Sequence, residues 1–499
     1  MQIKVKIILS LTFISIFSDL IFISQIRAEA WVIDHQQDWT MNAGNILNLK
    51  FEKGFAIMTG NTSSYKSHLK KFSKKKKINS FFIKQSPVWQ NWQPIANIGP
   101  VNLADAPVLL SKGYKDYWIF GRYKKTKSKK NFKAQTAKLQ DYDIPLKTTA
   151  YTNQYNAPGG LKKSLGGYHA WQSKDMTNWV HHGPVTEGFS RWVTTAEYVE
   201  GKTYIYYDYP NDQDPHLYID NDLSDGKPGK NLGLAFKDPS HGSDCTVIRD
   251  LEGKFHIIYE DWSPINARKH SWDSPLAGHS VSLTGKGDFK ILKPAVDHRT
   301  KATGVMSEYL HPHWKQHPDW DSNIAKYNVH QPEQDAYGDW ASICIGGQYY
   351  LFGDYHPAHK KIRVAWFTSA NLNTPFEFCG EIGSGHPDPD IIFAEGKFYL
   401  ATQMKTDYVS PGPWVGSVQV RIGIDTDNNG KSDHWGEWQE VKETYDYIKG
   451  YSKQIKRIPA GYDTKNLPAG FAFEFEIKSQ LTSKNKCNPI LDKITFSFH

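Results

Sequence analysis

Four aspartates occupy equivalent positions along the chain, each at the start of the same kind of strand pair. They are Asp105, Asp244, Asp339 and Asp388, and each precedes an apolar run that a short turn connects to a second run rich in aromatic and β-branched residues. If these strand pairs surround one axis, their first residues converge on one pocket. Converging carboxylates repel one another, which raises the pKa of some while others stay ionised. One protonated and one ionised carboxyl in a single pocket is what the hydrolysis of a glycosidic bond requires.

Three of these aspartates, Asp105, Asp244 and Asp339, are our candidate catalytic residues. A single aspartate before a strand is also a common turn residue, so the prediction depends on several of them meeting. Asp388 lies between two prolines, and a turn role is sufficient to explain it. His386, two residues earlier, could donate a proton or a hydrogen bond, and we count it among the candidate substrate-binding residues.

The strand pair that follows each of the four aspartates is a predicted β-hairpin, and a fifth, shifted copy of the pattern lies at residues 195–206. The five segments are residues 105–120, 195–206, 244–259, 339–352 and 388–400. Four-stranded sheets repeated around an axis bury one another's faces and leave little exposed edge. Helical periodicity is scarce in the whole chain. The sequence therefore predicts an all-β protein organised as a five-bladed β-propeller.

The propeller is predicted to span residues 96–410, between two further β segments. Residues 31–95 contain short alternating stretches that predict an N-terminal β extension packed on the main body, and residues 411–499 contain the strands of a C-terminal β segment. The interval 263–334 is too long for one blade, so we interpret it as an insertion. Its many histidines indicate a functional loop, such as a lid over one rim.

Residues 1–30 are typical of a secretory signal peptide. Two lysines precede a mostly apolar run over residues 7–23, and the small residues Ala28 and Ala30 provide a cleavage site. Asp19 interrupts the apolar run, which argues against a membrane anchor. We therefore expect a periplasmic or secreted protein with no integral membrane segment in its mature chain.

The chain of 499 residues carries a formal net charge of +8, much of it in lysine-rich runs over residues 70–77 and 124–133. Such runs usually form solvated loops, and they could also contact an acidic polysaccharide. An exported protein rarely meets nucleic acid, so a polysaccharide or oligosaccharide is the expected partner. The four cysteines do not have the spacing of metal ligands. Export would permit disulfides, but Cys245 and Cys344 lie in strand patterns, where a small buried residue is the simpler explanation.

The loop over residues 425–433 has the spacing of a calcium-binding loop. Asp425, Asp427, Asn429 and Asp433 place oxygen atoms at positions 1, 3, 5 and 9, with a glycine at position 6. The glutamate expected at position 12 is replaced by a glycine, and no flanking helix is evident. The same residues also make an ordinary turn, so a structural Ca²⁺ is one of two interpretations. No cofactor is expected for the chemistry itself.

Three motifs carry a family resemblance. They are DAPV at residues 105–108, SKDMTNW at 173–179 with Gly183 and Pro184 after it, and DCTVIRDLEGK at 244–254. They resemble the five-bladed propeller glycosidases of glycoside hydrolase families 43, 32 and 117. The resemblance implies an enzyme that hydrolyses glycosidic bonds, with inversion at the anomeric carbon.

The resemblance also implies roles for individual residues. Asp105 would match the catalytic base, and Asp244 the carboxylate that orients the general acid and tunes its pKa. Family 43 places a glutamate acid before the fourth hairpin, where this chain has Asp339, so Asp339 is the substitute candidate. Family 117 uses a histidine as the acid, which keeps His386 and the insertion histidines in consideration.

Further residues could contact the sugar around these carboxyls. Aromatic rings can stack on sugar faces, although each is individually more often part of the packing between blades. Arginine and histidine can contact hydroxyl, sulfate or carboxylate groups. The candidate substrate-binding residues are His169, Trp192, Glu197, Tyr259, Trp262, Arg268, Tyr337 and Trp340.

We expect a secreted glycoside hydrolase that acts on an acidic or sulfated polysaccharide, such as one from marine algae. Two alternatives stay open. A polysaccharide lyase or dehydratase would eliminate across a uronate with Tyr259 and Arg268 as proton-transfer and charge-neutralising groups. A propeller that binds carbohydrate without cleaving it is the other alternative, since a fold does not fix a function.

Overall fold

The structure, a computed structural model, describes most of the chain in separate ranges. They are residues 29–89, 99–100, 103–123, 154–155, 167–188, 191–209, 214–237, 244–260, 277–296, 336–356, 363–382, 388–403, 409–411, 415–482 and 487–499. These ranges are almost entirely β, which confirms the prediction of an all-β protein. No helix in them is long and apolar enough to span a membrane. No disulfide joins the four cysteines, three of which are buried.

The N-terminal segment contains one short helix and seven strands. They are β1 (Glu29–Ile33), α1 (Gln36–Met41), β2 (Ala43–Leu47), β3 (Leu49–Glu52), β4 (Phe55–Met58), β5 (Thr62–Ser67), β6 (Lys70–Lys76) and β7 (Ile78–Ser86). None of these strands pairs with a strand of the central region described next.

The central region contains the strands of five successive sheets. The first sheet has β8 (Leu103–Ser111), β9 (Tyr117–Tyr123), β10 (Gln154–Tyr155), β11 (Tyr168–Ser173) and β12 (Trp179–Pro184). The second has β13 (Trp192–Val199), β14 (Lys202–Asp208), β15 (Pro215–Asp220) and β16 (Lys230–Leu234). The third has β17 (Thr246–Arg249), β18 (Phe255–Glu260), β19 (Ala277–Ser282) and β20 (Lys290–Ile291). The fourth has β21 (Ala336–Ile345), β22 (Gln348–His356), β23 (Arg363–Ser369) and β24 (Glu377–Ile382), and the fifth has β25 (Asp390–Ala394), β26 (Lys397–Ala401) and β27 (Val409–Pro411).

The first strands of these sheets form a ring. β8 contacts β13, β13 contacts β17, β17 contacts β21, β21 contacts β25, and β25 contacts β8 again. A hydrophobic cluster fills each of the five junctions between neighbouring sheets. At the junction of the fifth sheet with the first, for example, Ile392 and Tyr399 pack with Ile119 and Trp171. Sheets packed radially around a common axis are the arrangement of a β-propeller.

The five predicted hairpins are all present as antiparallel pairs. They are β8 with β9, β13 with β14, β17 with β18, β21 with β22, and β25 with β26. Each is the innermost pair of its sheet, so the residues at the start of the first strand and at the end of the second lie side by side near the axis.

The predicted insertion over residues 263–334 is wrong in part. Residues 277–296 contain β19 and β20, which complete the third sheet. β19 reads AGHSVS, and its small and polar residues lack the aromatic pattern of the inner hairpins. β19 is nevertheless buried and pairs with a strand on each side, so small and polar residues occupy an interior position here. The rest of the interval lies outside the described residues.

The C-terminal segment contains eight strands. They are β28 (Val418–Asp425), β29 (His434–Trp435), β30 (Gln439–Val441), β31 (Thr444–Tyr447), β32 (Gln454–Ile458), β33 (Ala460–Tyr462), β34 (Gly470–Gln480) and β35 (Ile490–Phe498). β31 and β32 join the fourth sheet through parallel pairing of β32 with β21.

The other C-terminal strands combine with the N-terminal segment into a two-sheet sandwich. One sheet has the order β3-β4-β35-β7-β33 with β1 beside β35, and the other has the order β2-β5-β34-β28-β29 with β6 beside β34 and β30 beside β28. The core between them contains Trp31, Tyr65, Phe475 and Phe496. The two ends of the chain therefore form one folding unit next to the propeller.

The basic run over residues 70–77 is a strand and not the solvated loop that its composition indicated. Lys70–Lys76 form β6, which pairs with β34, and Phe72 packs against the sandwich core. Lys70, Lys71, Lys74 and Lys75 are exposed. Lysines on an edge strand keep it soluble and oppose pairing with another chain, so a charged run and a strand are compatible here. The second run, 124–133, lies outside the described residues.

Candidate active site

The aspartates that we expected to converge lie at the start of the innermost strands. Asp105 and Asp339 belong to β8 and β21, whereas Asp244 and Asp388 each lie two residues before β17 and β25. Burial and then the charges of Asp244, Asp354 and Asp388 raise the pKa of Asp339. Burial, with the charges of Asp244 and Asp105, raises the pKa of Asp388 to about 7. These effects place the four carboxyls near one another where the innermost strands begin, and we call the space between them the pocket.

Three of these aspartates have an unusual backbone conformation. The φ angle is 68° at Asp105, 49° at Asp339 and 54° at Asp388, in the left-handed region that residues other than glycine rarely adopt. The pairing register shifts at Asp105 and at Asp339, so each lies in a β-bulge. A bulge takes a side chain out of the regular alternation of its strand and is common beside functional sites. The strained backbone conformation therefore occurs at the residues that supply the acidic side chains of the site.

Asp339, Asp354 and Asp388 form a compact group, which we call the acidic trio. Each presents one carboxyl oxygen, and the three oxygens lie within 4.8 Å of one another. Asp339 is hydrogen-bonded to both partners, and the Asp388 amide donates to Asp354 Oδ1 at 2.7 Å. Ionised carboxylates this close repel one another, so the arrangement favours a proton on one of them. Asp354 is buried, whereas Asp339 and Asp388 are partly exposed.

The surroundings of the trio raise the affinity of its carboxyls for a proton. Burial raises the pKa values of Asp339 and Asp354 well above their usual range, and the neighbouring negative charges add to the effect. The same spacing would also admit a divalent cation, for which the carboxyls would have to be ionised. The two cases differ in their response to a chelator, because only a bound cation would make the activity sensitive to it.

A glycine makes room for a further carboxyl beside the trio. Gly338 lies directly opposite Asp354 in the pairing of β21 with β22. A Cβ added at Gly338 would overlap the carboxylate of Glu260, which comes from the end of β18 in the third sheet. Glu260 is buried, and its charge also raises the pKa of Asp339. Substitution of Gly338 would therefore disturb the position of Glu260 and, through it, the proton affinity of Asp339.

Asp105 has a different environment, because a cation faces it. Arg122 Nε lies 3.0 Å from Asp105 Oδ2, and Gln403 Nε2 donates to Asp105 Oδ1 at 2.9 Å. The Arg122 guanidinium lies 4.2 Å from the centre of the Trp192 ring and 5.5 Å from that of Tyr168. Burial raises the pKa of Asp105, and the charge and hydrogen bond of Arg122 oppose this effect. Both oxygens of Asp105 thus accept hydrogen bonds that favour the ionised form.

The pocket therefore offers two different carboxyl environments. Burial raises the pKa of both Asp105 and Asp339, but Arg122 and Gln403 oppose this rise at Asp105, whereas neighbouring negative charges add to it at Asp339. Two titratable groups whose surroundings differ in this way are candidates for a base and an acid.

No protein-family model and no curated protein matches the chain. Solved structures similar to it include an endo-arabinase from Bacteroides thetaiotaomicron, with 12% identity and a TM-score of 0.38 over 63% of this chain and 96% of the arabinase. A family 43 arabinoxylan arabinofuranohydrolase from Bacillus subtilis has 12% identity and a TM-score of 0.36 over 80% of this chain and 96% of its own. An arabinanase from Bacillus subtilis has 12% identity and a TM-score of 0.35 over 77% and 96%. Likeness at this level does not assign an activity, which has to be inferred from the site.

Two aromatic candidates for sugar binding lie in the core instead. Tyr259 is fully buried between the second and third sheets, where its ring packs on Phe236. Trp340 is 3% exposed and packs edge-on against Phe367. The sequence expectation that they stack on a sugar is not met, because rings at these strand positions fill the junctions between sheets. Trp192, by contrast, is partly exposed and lies beside Arg122 in the pocket.

His169 and Glu197 are also buried, with partners in the first sheet and in the C-terminal segment. His169 Nδ1 lies 2.9 Å from His181 Nε2, and its ring stacks on Tyr123 within the first sheet. Glu197 Oε1 accepts a hydrogen bond from the Ser452 amide at 3.1 Å, in the turn between β31 and β32. Burial raises the pKa of Glu197 to about 7. Their expected contact with substrate is therefore corrected to roles in packing and in attaching the C-terminal segment.

The remaining candidates cannot be placed. Trp262, Arg268 and His386 lie outside the described residues, and of Tyr337 only the backbone, in β21, is described.

Four residues of the pocket were missed at the level of sequence. They are Arg122, Glu260, Asp354 and Gln403, and each lies at or just beyond the end of the second strand of a hairpin. Because the strands are antiparallel, this end lies beside the start of the first strand. The signal was present: a polar residue ends an aromatic run at the same point in four hairpins.

The loop over residues 425–433 is held by its own hydrogen bonds. Asp425 accepts from the amides of Asn428 and Gly430 at 2.7 and 2.8 Å, and Asp433 accepts from that of Thr426 at 2.8 Å. The carboxyls of Asp425, Asp427 and Asp433 do not form a group as compact as the acidic trio, which is the only such group among the described residues. Asn429 Oδ1 accepts from the Lys431 amide at 2.8 Å. These bonds fit the turn interpretation, and calcium binding stays a prediction.

If the loop binds Ca²⁺, adding millimolar Ca²⁺ to chelator-treated protein should raise the melting temperature by about 2–4 °C. Asp425→Ala should abolish that increase. Asp446→Ala, at an exposed carboxyl of β31, is the matched control and should preserve it. Equal melting curves with and without Ca²⁺ would show that the loop does not bind Ca²⁺ and is an ordinary turn.

Proposed function

We propose that the protein is a glycoside hydrolase in which Asp105 is the general base and Asp339 the general acid. The observation that supports the proposal is the difference between two carboxyl environments: Arg122 and Gln403 contact Asp105 and favour its ionised form, whereas Asp339 lies among the carboxyls of Asp354 and Asp388, which favour its protonated form. Asp244 contributes negative charge that raises the proton affinity of Asp339.

The proposed reaction follows from these protonation states. Asp105 takes a proton from a water molecule, and the oxygen of that water forms a bond to the anomeric carbon. The bond from this carbon to the leaving oxygen breaks, and Asp339 gives its proton to that oxygen. Attack by water on the face opposite the leaving group inverts the anomeric configuration. Asp354 and Asp388 position Asp339 and do not themselves contact the reacting atoms.

The charge of the pocket limits which sugar can occupy it. Five aspartates and Glu260 face it, against one described cation, Arg122, so a carboxylate or sulfate beside the carboxyls would be repelled. We propose a polysaccharide or oligosaccharide substrate whose cleaved unit is uncharged. The acidic or sulfated groups that the net charge of +8 suggests would then belong to neighbouring units of the polymer.

The experiment that tests the function is incubation with a panel of algal and plant oligosaccharides, followed by two assays. Hydrolysis creates new reducing ends and no ultraviolet absorbance. Elimination creates a double bond that absorbs, and a binding protein releases no product. The described position of Tyr259 in the core gives the lyase alternative no support. An absorbing product would overturn the proposal.

Asp354→Asn should move the alkaline limb of the pH profile of kcat/KM to lower pH by about one unit. The proposed acid works only while protonated, and the negative charge of Asp354 is one cause of the raised pKa of Asp339. Removing that charge lowers this pKa, so activity is lost earlier as the pH rises. The acid limb, which reports Asp105, should stay in place. A profile with an unchanged alkaline limb would contradict the role of the trio.

We also propose that the protein is exported to the periplasm or medium, on the basis of the signal-like residues 1–30. Fractionation of cells that express the full chain tests this directly.

A further inference from the structure

The outer face of one sandwich sheet carries two tryptophans among three cations. In β34, Phe473, Phe475 and Ile477 are fully buried, so the alternate side chains of the strand point away from the core. On that outer side lie Lys66, Arg421, Trp435, Trp438 and Lys478, which we call the cation–tryptophan face. Both tryptophans are partly exposed.

The side chains of this face alternate in a regular order. The Arg421 guanidinium lies 4.4 Å from the Trp435 ring centre and 4.7 Å from that of Trp438. Lys66 Nζ lies 4.8 Å from the ring of Trp435, and Lys478 Nζ lies 3.8 Å from that of Trp438. The resulting row, from Lys66 through Arg421 to Lys478, crosses three paired strands.

Interactions beneath the row hold it in place. Arg421 Nη2 lies 2.6 Å from Glu476 Oε2, and Lys66 Nζ lies 3.1 Å from Glu474 Oε2. A Cβ at Gly423 would lie 2.8 Å from Trp435 Cη2, so this glycine lets the indole lie close to the sheet. Rings and cations fixed in advance lose little conformational entropy when they bind a ligand.

This face differs from the pocket in charge: it has three cations beside two glutamates, whereas Arg122 is the one described cation among the carboxyls of the pocket. Residues 29–89, which supply half of the sandwich, contain ten lysines and four acidic residues. On the same side of the sheet, Lys71 of β6 pairs opposite Ala472 of β34, and Lys71 and Lys75 are exposed. A polymer with anionic groups would be repelled from the acidic pocket and attracted here.

We propose that the cation–tryptophan face is an auxiliary binding site for a polysaccharide that bears sulfate or carboxylate groups. Sugar rings contact the exposed parts of Trp435 and Trp438, and the anionic groups accept hydrogen bonds from Arg421, Lys66 and Lys478. The site deepens the proposed function, on which it rests for the choice of a polysaccharide as partner.

Affinity electrophoresis in native gels tests the site without requiring catalysis. The probes are dextran sulfate and polygalacturonate, with uncharged dextran as the neutral reference. The wild-type protein should be retarded by both anionic polymers, and the retardation should fall at higher salt because exposed charges are screened. Equal mobility in all three gels would overturn the proposal.

Three variants distinguish binding at the cation–tryptophan face from non-specific attraction of the polymer to a positively charged protein. Trp438→Ala keeps the net charge and should weaken binding about 5-fold through loss of stacking. Lys478→Gln should weaken it about 3-fold. Lys290→Gln, at an exposed lysine of the third sheet, changes the charge equally and should have no effect. If the two lysine variants behave alike, or if Trp438→Ala binds like wild type, the face is not the binding site.

The outcomes also distinguish this proposal from the proposed function. Hydrolysis of a short neutral oligosaccharide should be the same in Trp438→Ala and wild type, since Trp438 belongs to the cation–tryptophan face and not to the pocket. A wild-type protein that binds the anionic gels but cleaves no glycan would contradict the hydrolase and preserve the auxiliary site. Cleavage with no retardation would do the reverse.

Discussion

Asp105→Asn should lower kcat/KM for hydrolysis by about 1,000-fold, within the range that general base catalysis contributes. Asparagine can still accept from Gln403, but it cannot take a proton from water. Arg122 would then face a neutral group in place of the carboxylate 3.0 Å from its Nε. The substrate-binding surface is otherwise unchanged, so KM should change much less than kcat. Initial rates on the best oligosaccharide of the panel measure both.

Asp116→Asn is the matched control for this variant. Asp116 lies at the opposite end of the same hairpin, where it accepts hydrogen bonds from Trp118 and Gln172 that asparagine can also accept. Its activity should equal that of the wild type. Activity within 10-fold of wild type in Asp105→Asn, an order-of-magnitude threshold for losing a general base, would remove Asp105 from the proposed mechanism.

Asp339→Asn should have an effect that depends on the leaving group. With a natural oligosaccharide, loss of the proton donor should lower kcat by about 100-fold or more. A dinitrophenyl glycoside of the released sugar needs no protonation of its leaving oxygen, so its hydrolysis should fall by less than about 10-fold. Rates on the two substrates, measured with the same preparation, supply the ratio. A loss of similar size on both would contradict the assignment of the acid.

The same variant should be more stable than wild type above neutral pH. Burial and repulsion raise the pKa of Asp339 in the folded protein, so folding is penalised as the pH rises above the ordinary carboxyl pKa. Asparagine removes that penalty, and the melting temperature at pH 8 should increase. Well below the ordinary carboxyl pKa, at about pH 2.5, the carboxyl is protonated in both states and the two proteins should melt alike. A variant that is less stable at pH 8 would show that the trio contributes to folding.

The hairpins and the meeting of their aspartates could be predicted because both depend on local patterns. An apolar run, a turn and an aromatic run define each strand pair within about 20 residues. The propeller arrangement then places Asp105 and Asp339 in one pocket although more than 200 residues separate them. The bulges that turn these two side chains inward were not predictable, since they result from the pairing with β9 and β22.

The sandwich could not be predicted from either end of the chain alone. Trp31 of β1 pairs with Phe496 of β35, and neither segment has a signal for its distant partner. The expected sugar contacts of Tyr259 and Trp340 were not met for a related reason. The sequence pattern identifies a residue as part of a strand, but it does not show which side of the sheet packs against a neighbouring sheet. The pattern that identified the aspartates concerns the start of the first strand of each hairpin, whereas Arg122 and Asp354 lie near the end of the second strand.

Proton NMR of a substrate during its cleavage tests the central claim most directly. If water activated by Asp105 attacks while Asp339 protonates the leaving oxygen, the first signal of the product should be that of the inverted anomer, with no vinyl proton. The signal should be missing in Asp105→Asn at equal enzyme concentration. A retained anomer in the first minutes, or an unsaturated product, would show that these carboxyls do not act as the proposed base and acid.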